Sequence, residues 1–130
     1  MIGYTTLGTN DPARAKAFYD ALLAELGAKR LIEMPDAREL TFWGTAPHKP
    51  MLAVGRPYDG GPGAPGNGTM VALSVASRAE VDRLHARALE LGAADEGAPG
   101  LRGPEALGYY FAYVRDLDGN KLALFKIGPG

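Results

Sequence analysis

"ELGAK", residues 25–29, closes one run of helical spacing, and "ELGAA", residues 90–94, closes another. The glycines of the two stretches, Gly27 and Gly92, are 65 positions apart in a chain of 130. A repeat at half the chain length points to a duplicated unit. Working back from the first stretch, Phe18, Tyr19, Leu22, Leu23 and Leu26 recur at helical spacing. Asp11 is placed to cap that helix, and Pro12 sits at its first position, where a missing N–H costs nothing. Working back from the second, Val81, Leu84, Ala88 and Leu91 form the apolar stripe. "SRAE", residues 77–80, is a capping box with Ser77 as cap and Glu80 reaching back. Glycine just past the last periodic residue stops each helix.

The flanking segments repeat in the same order. Strand patterns at 2–8 and 69–76 precede the two helices. Those at 29–33, 38–43 and 51–54 follow the first helix. Those at 109–115 and 121–125, with a weak one at 94–96, follow the second. The expected class is α+β: two β-α-β-β-β modules, about 1–55 and 69–127, within a single domain spanning 1–130. Between them, "GRPYDGGPGAPGNG" at 55–68 is too rich in Gly and Pro to form an element, so 56–68 reads as a flexible connector. It is not a phosphate loop. No Gly-Lys-Ser/Thr follows, and it leads into a strand rather than a helix.

Composition narrows the functional classes. Apolar content of 46% and charged content of 22% suit a soluble globular chain. A net charge of -1 argues against a nucleic-acid surface. The absence of cysteine removes disulfides, thiolate metal sites and a cysteine nucleophile. No stretch reaches membrane-spanning length, and "MIGYTTLGTND" lacks the basic and apolar regions of a secretory leader. The expectation is a cytoplasmic protein with no nucleic-acid or membrane partner.

Three stretches carry a resemblance: "YTTLGTNDPARAKAFYDALLAELGAKR", "GNGTMVALSVASRAEVDRLHARALELGA" and "YYFAYVRDLDGNKLALF". Together they resemble the vicinal oxygen chelate superfamily, the group of glyoxalase I, bleomycin- and fosfomycin-resistance proteins and extradiol dioxygenases. The resemblance covers nearly the whole chain. It implies that the two modules pair into a cup-shaped, partly closed mixed sheet that holds a ligand, and that the protein is a homodimer. Metal-dependent members place His, Gln or Glu at four strand positions, which fall here on Tyr4, Ala53, Met70 and Ala123. Alanine has no donor, and a methionine thioether is too soft for Mg, Mn, Fe, Ni or Zn. Tyrosine binds a metal only once deprotonated, against an ordinary pKa of about 10. No metal and no other cofactor is therefore expected.

The two histidines give no replacement set. His48 lies between prolines in a connection, and His85 lies at the flank of the second helix's stripe. Glu33 and Glu39 read as solvated hairpin carboxylates. Strand alternation then suggests what faces a ligand instead. Tyr4 is joined by Thr6, Met70 by Ala72 and Ser74, and Ala123 by Lys121 and Phe125. Phe111 and Tyr113 share the face of Tyr109. Trp43 ends a strand beside this surface, and Arg102 lies on a loop across its mouth. The candidate ligand-binding residues are Tyr4, Thr6, Trp43, Met70, Ser74, Arg102, Phe111, Tyr113 and Lys121; no catalytic residue is assigned. Such a lining suits a small organic molecule held by stacking and apolar contact. Three functions remain open: metal-independent binding of a small molecule, a glyoxalase- or lyase-like enzyme with an atypical site, and a structural dimerisation module in which these aromatics fill a closed core.

Overall fold

Both Glu-Leu-Gly-Ala stretches form the same helix end. After the first helix, Ala28 N–H donates to Leu23 O at 3.1 Å and Gly27 N–H to Ala24 O at 3.0 Å. After the second, Ala93 N–H donates to Ala88 O at 3.0 Å and Gly92 N–H to Leu89 O at 3.1 Å. These are the two crossed bonds of a Schellman motif, which needs a left-handed residue at its turn. Gly27 and Gly92 supply it, with φ of 73° and 102°. The motif absorbs carbonyls that a helix end otherwise leaves unpaired.

The computed structural model describes residues 1–130. The chain divides into two compact units, Met1–Gly66 and Asn67–Gly130. The first carries β1 (Tyr4–Gly8), α1 (Pro12–Ala24), β2 (Lys29–Glu33), β3 (Thr41–Gly44) and β4 (Met51–Gly55). The second carries β5 (Val71–Ser74), α2 (Arg78–Glu90), β6 (Ala94–Leu101), a short 3-10 turn (Glu105–Leu107), β7 (Tyr109–Arg115) and β8 (Lys121–Ile127). Each unit forms its own four-stranded mixed sheet, in the orders β1-β4-β3-β2 and β5-β8-β7-β6. In each, the first and last strands are parallel neighbours and the other pairs are antiparallel. The α+β fold of two β-α-β-β-β modules is thus present, as two sheets with no closed barrel. No helix is long and apolar enough to cross a membrane.

Each helix covers one sheet face. In the first unit, Ala15, Phe18, Tyr19, Leu22 and Leu23 of α1 are buried. In the second, Val81, Leu84, His85 and Ala88 of α2 are buried, and Ala112, Val114, Leu122 and Leu124 have no exposed surface. The N-terminal caps form as expected, with one difference. Asp11 accepts from Arg14 N–H and Ser77 from Glu80 N–H, but the Glu80 carboxylate reaches Ala76 N–H at 2.7 Å, one residue before the cap.

Three boundaries differ from the sequence pattern. β3 starts at Thr41 rather than at residue 38, because 36–39 form a turn in which Glu39 takes a φ of 51°. β6 runs to Leu101, well beyond residue 96, with register shifts between Asp95 and Gly97 and between Gly97 and Gly100 that break the alternation. The Gly- and Pro-rich connector does not hang free. Its residue Gly63 is bonded both ways to the Asn10 side chain, at 2.9 and 2.6 Å. Its backbone lies so close to β1 that a Cβ on Gly63 would stand 3.2 Å from Thr9 N.

Candidate functional site

The register of the second sheet sorts its side chains onto two faces. Phe111 stands opposite Phe125, Tyr113 opposite Ala123, and Arg115 opposite Lys121. On the parallel side, Ala72 stands beside Ala123 and Ser74 beside Phe125. All of these point away from the α2 side, where Ala112, Val114, Leu122 and Leu124 are buried. Met70 precedes β5 in the same alternation. Five expected ligand-facing residues, Ser74, Phe111, Tyr113, Lys121 and Met70, therefore share one face. Phe111 stacks on Phe125 with ring centroids 5.0 Å apart, and on Tyr113 at 6.0 Å.

Arg102 joins them from the loop that starts immediately after β6, where the sequence pattern places it. Its backbone N–H donates to Tyr109 O at 2.8 Å, continuing the hairpin. Its guanidinium folds back to donate to Gly100 O at 3.0 Å and Ala98 O at 2.7 Å. It then lies 5.5 Å from the centroid of the Tyr113 ring. Lys121 Nζ lies 5.1 Å from the same centroid. Neither cation pairs with a carboxylate, whereas nearby Arg115 is paired with Glu96 at 2.9 Å. Gly97 is the residue that permits this packing. It stands directly across from Tyr113, and a Cβ there would lie 2.9 Å from Tyr113 Cδ2 and 3.3 Å from Arg102 Nη2. Gly97 and Gly100 were absent from the sequence-derived set. The available signal was a glycine within a strand, which marks a bulge or a close approach.

The remaining expected residues lie in the first unit. Thr6 shares the face of Ala53 and Phe42 by register. Tyr4 is 55% exposed, its ring edge-on to Phe42 at 5.0 Å. Trp43 does not share this face. It sits opposite Leu52, is 1% exposed, and packs towards α1, 5.7 Å from the Tyr19 ring. Its indole N–H donates to Asp20 Oδ1 at 2.9 Å, so its polar handle is satisfied within the core.

The four family ligand positions do not fit a metal. Ala53 and Ala123 are wholly buried. Ala53 lies in a small apolar cluster with Leu40, Phe42 and Met51. No group of three His, Cys, Asp or Glu side chains comes together that could hold a metal ion. The perturbed ionisable groups stand elsewhere. Asp20 is held below the usual carboxylate range, chiefly by hydrogen bonds from Arg30 at 2.9 and 2.7 Å, with Trp43 adding a third. Asp95 is lowered by its 3.0 Å bond to His85, which is buried on α2. Tyr110 is pushed up by donating to Asp82 at 2.6 Å. None of the three adjoins the Tyr113 face by register: Tyr110 stands on the opposite side of β7.

Two β-α-β-β-β modules, each with parallel first and last strands and a helix on one face only, define a duplicated sheet protein. The chain belongs to the Glyoxalase/Bleomycin resistance protein/Dioxygenase superfamily, whose family model matches residues 1–124. A crystal structure of a glyoxalase/bleomycin resistance protein from Albidiferax ferrireducens T118 is 31% identical. It aligns over 96% of this chain and 97% of its own, with a TM-score of 0.80. The lactoylglutathione lyase from Agrobacterium tumefaciens shares the fold at 24% identity, covering 96% and 92% of the two chains, with a TM-score of 0.67. So does a fosfomycin resistance protein from Listeria monocytogenes, crystallised with Mn(II), at 17% identity, coverage of 96% and 89%, and a TM-score of 0.70. No curated protein matches the chain.

Proposed function

We propose that this protein binds a small organic anion without a metal, holding it on the helix-free face of the second sheet. One observation carries the reading: Arg102 and Lys121 converge on the Tyr113 ring with no carboxylate to neutralise them. The ring's negative face attracts each cation, but two like charges on one ring repel each other. A ligand carboxylate or phosphate between them relieves that repulsion, and the Phe111, Phe125 and Tyr113 rings supply a platform for a planar body. Met70 at the margin, 43% exposed, can adapt to its outline.

The test uses 4-hydroxybenzoate as a probe, with thermal stability as readout. A ligand of the folded state raises Tm in a saturating way. The expected result is a rise in the wild type that disappears in R102A/K121A. No rise, or an equal rise in the double variant, overturns the proposal. A homodimer is part of the same reading. Tyr109 and Ile127, directly paired and 40% and 51% exposed, give this face an apolar margin suited to cover by a second copy. Light scattering checks it, with the mass of two chains expected.

A further inference from the structure

The first unit holds a concavity of about 460 Å³ at the carboxyl ends of the parallel strands β1 and β4. That volume falls within the range of small-ligand sites, roughly 300–1,000 Å³. Its floor is made of Gly8 and Gly55, and the folded-back connector, through Gly63, closes one side. Gly55 lets residues 38–40 pack directly against the end of β4. A Cβ on Gly55 would stand 2.8 Å from Leu40 Cα and 2.9 Å from Arg38 O. The connector wall is fixed in place by the paired bonds between Asn10 and Gly63.

The ionisable lining is Arg38, Arg56 and Tyr58. No carboxylate lines the concavity, and the two that approach from outside do so loosely. Arg38 meets Asp36 at 3.4 Å and Arg56 meets Glu39 at 3.5 Å, at the long limit for a hydrogen bond. Arg38 also lies 5.5 Å over the Tyr58 ring, which is 89% exposed. Tyr58 thus stands at the lip of a basic hollow with its ring open to solvent and Arg38 beside it. The turn carrying Arg38 includes Glu39, the chain's one non-glycine residue at positive φ, and strain of this kind accompanies ligand clamps.

We infer that this concavity is a second binding site, for a small aromatic oxyanion whose charged group is held by Arg38 and Arg56 and whose ring stacks beside Tyr58. A planar guanidinium fork suits carboxylate and phosphate alike. Thr6, expected from the sequence to contact a ligand, lines this site.

The experiment is an amide NMR titration of the R102A/K121A chain, which keeps the outcome independent of the function proposed above. Phenyl phosphate and benzoate are the probes, with inorganic phosphate as the ring-free comparison. The expected result is saturable shifts at Gly8, Gly55 and Gly63, with phenyl phosphate or benzoate favoured over inorganic phosphate. Which of the two binds more tightly distinguishes a phosphate from a carboxylate ligand. R38A/R56A, checked for an unchanged spectrum elsewhere, is expected to weaken binding at least tenfold. Y58A is expected to erase the advantage of the aromatic probes while retaining the response to inorganic phosphate. Absence of saturable shifts, shifts scattered over the surface, or unchanged affinity in R38A/R56A overturns the inference.

Discussion

Gly97 places no atom where the Tyr113 ring and the Arg102 guanidinium meet, and this decides the candidate site. G97A adds a methyl 2.9 Å from Tyr113 Cδ2, and relief requires the ring to shift. The expected cost is about 1–3 kcal/mol in urea unfolding, with loss of the 4-hydroxybenzoate response. A stability loss with unchanged probe affinity would show that the ring's position does not matter to binding. Ala123 gives a second residue-scale prediction. Its methyl is fully buried beside Tyr113 and Ala72, so restoring a carboxylate there adds bulk and charge without partner ligands. A123E is expected to lower stability by about 2 kcal/mol or more. Asp20 gives a third. Arg30 and Trp43 hydrogen bonds favour its ionised form in the folded state, so its folded pKa lies below the unfolded value of about 3.9. Such a group contributes stability above the unfolded pKa, and the contribution disappears as pH falls through the lower folded one. Stability should therefore fall on acidification below about pH 4. D20N should be less stable at pH 7 and lose less below pH 4, by a modest amount because the carboxylate is 42% exposed and screened. Equal acid sensitivity in both proteins would place the titrating group elsewhere. Of the site itself, side-chain alternation on β7 and β8 was legible because those strands are regular. Trp43 was misplaced because a strand-terminal aromatic fits either face, and only the Asp20 hydrogen bond and the Tyr19 contact decide between them.

At the scale of elements, the two helix stops are chemically alike but structurally unequal. Gly27 has a φ of 73° and open space where a Cβ would go; Gly92 has a φ of 102° and Leu117 Cδ2 at 3.1 Å. Alanine at position 27 is expected to cost about 1 kcal/mol for the left-handed conformation alone. G92A should cost more, since it adds crowding to strain further from the favoured region. Urea unfolding of the two variants measures the difference, and equal losses would mean that the Leu117 contact relaxes freely. The helices were legible nearly to the residue because caps and stops are local chemistry. The 116–120 turn is built of equally local chemistry: Asp116 accepts from Asp118 N–H and Asn120 N–H, both at 2.9 Å, and Gly119 takes a φ of 87°. β6 was not legible beyond residue 96. Its bulges remove the period-two signal, and its Gly-Ala-Pro-Gly run is the composition of a loop. The connector's attachment was not legible for a related reason: composition reports flexibility in isolation, while the Asn10–Gly63 pair that holds it is 53 residues apart in sequence.

For the molecule as a whole, the duplicated pattern of strands and helix stops was enough to read the fold, since both units repeat one strand order around one-sided helices. What the duplication did not carry was the chemistry of the superfamily. The four strand positions that the sequence resemblance matches to metal ligands are Tyr4, Ala53, Met70 and Ala123, and two of these are methyl groups with no exposed surface. The change lies in the packing as well as in the donors. Leu40, Phe42 and Met51 close over Ala53, so a single substitution would not reopen a coordination sphere. Substituting one donor at a time should then fail, and adding metal to the native chain should leave its stability unaltered. Incubation with Ni(II), Zn(II), Mn(II) or Fe(II) is expected to leave Tm unchanged and to leave no stoichiometric metal after desalting, because an ion that binds the folded state must raise its stability. The probe 4-hydroxybenzoate should raise Tm equally with and without chelator. A single ion retained per chain, or a chelator-sensitive response to the probe, would mean that donors outside the family positions hold a metal, and the metal-independent reading would fall.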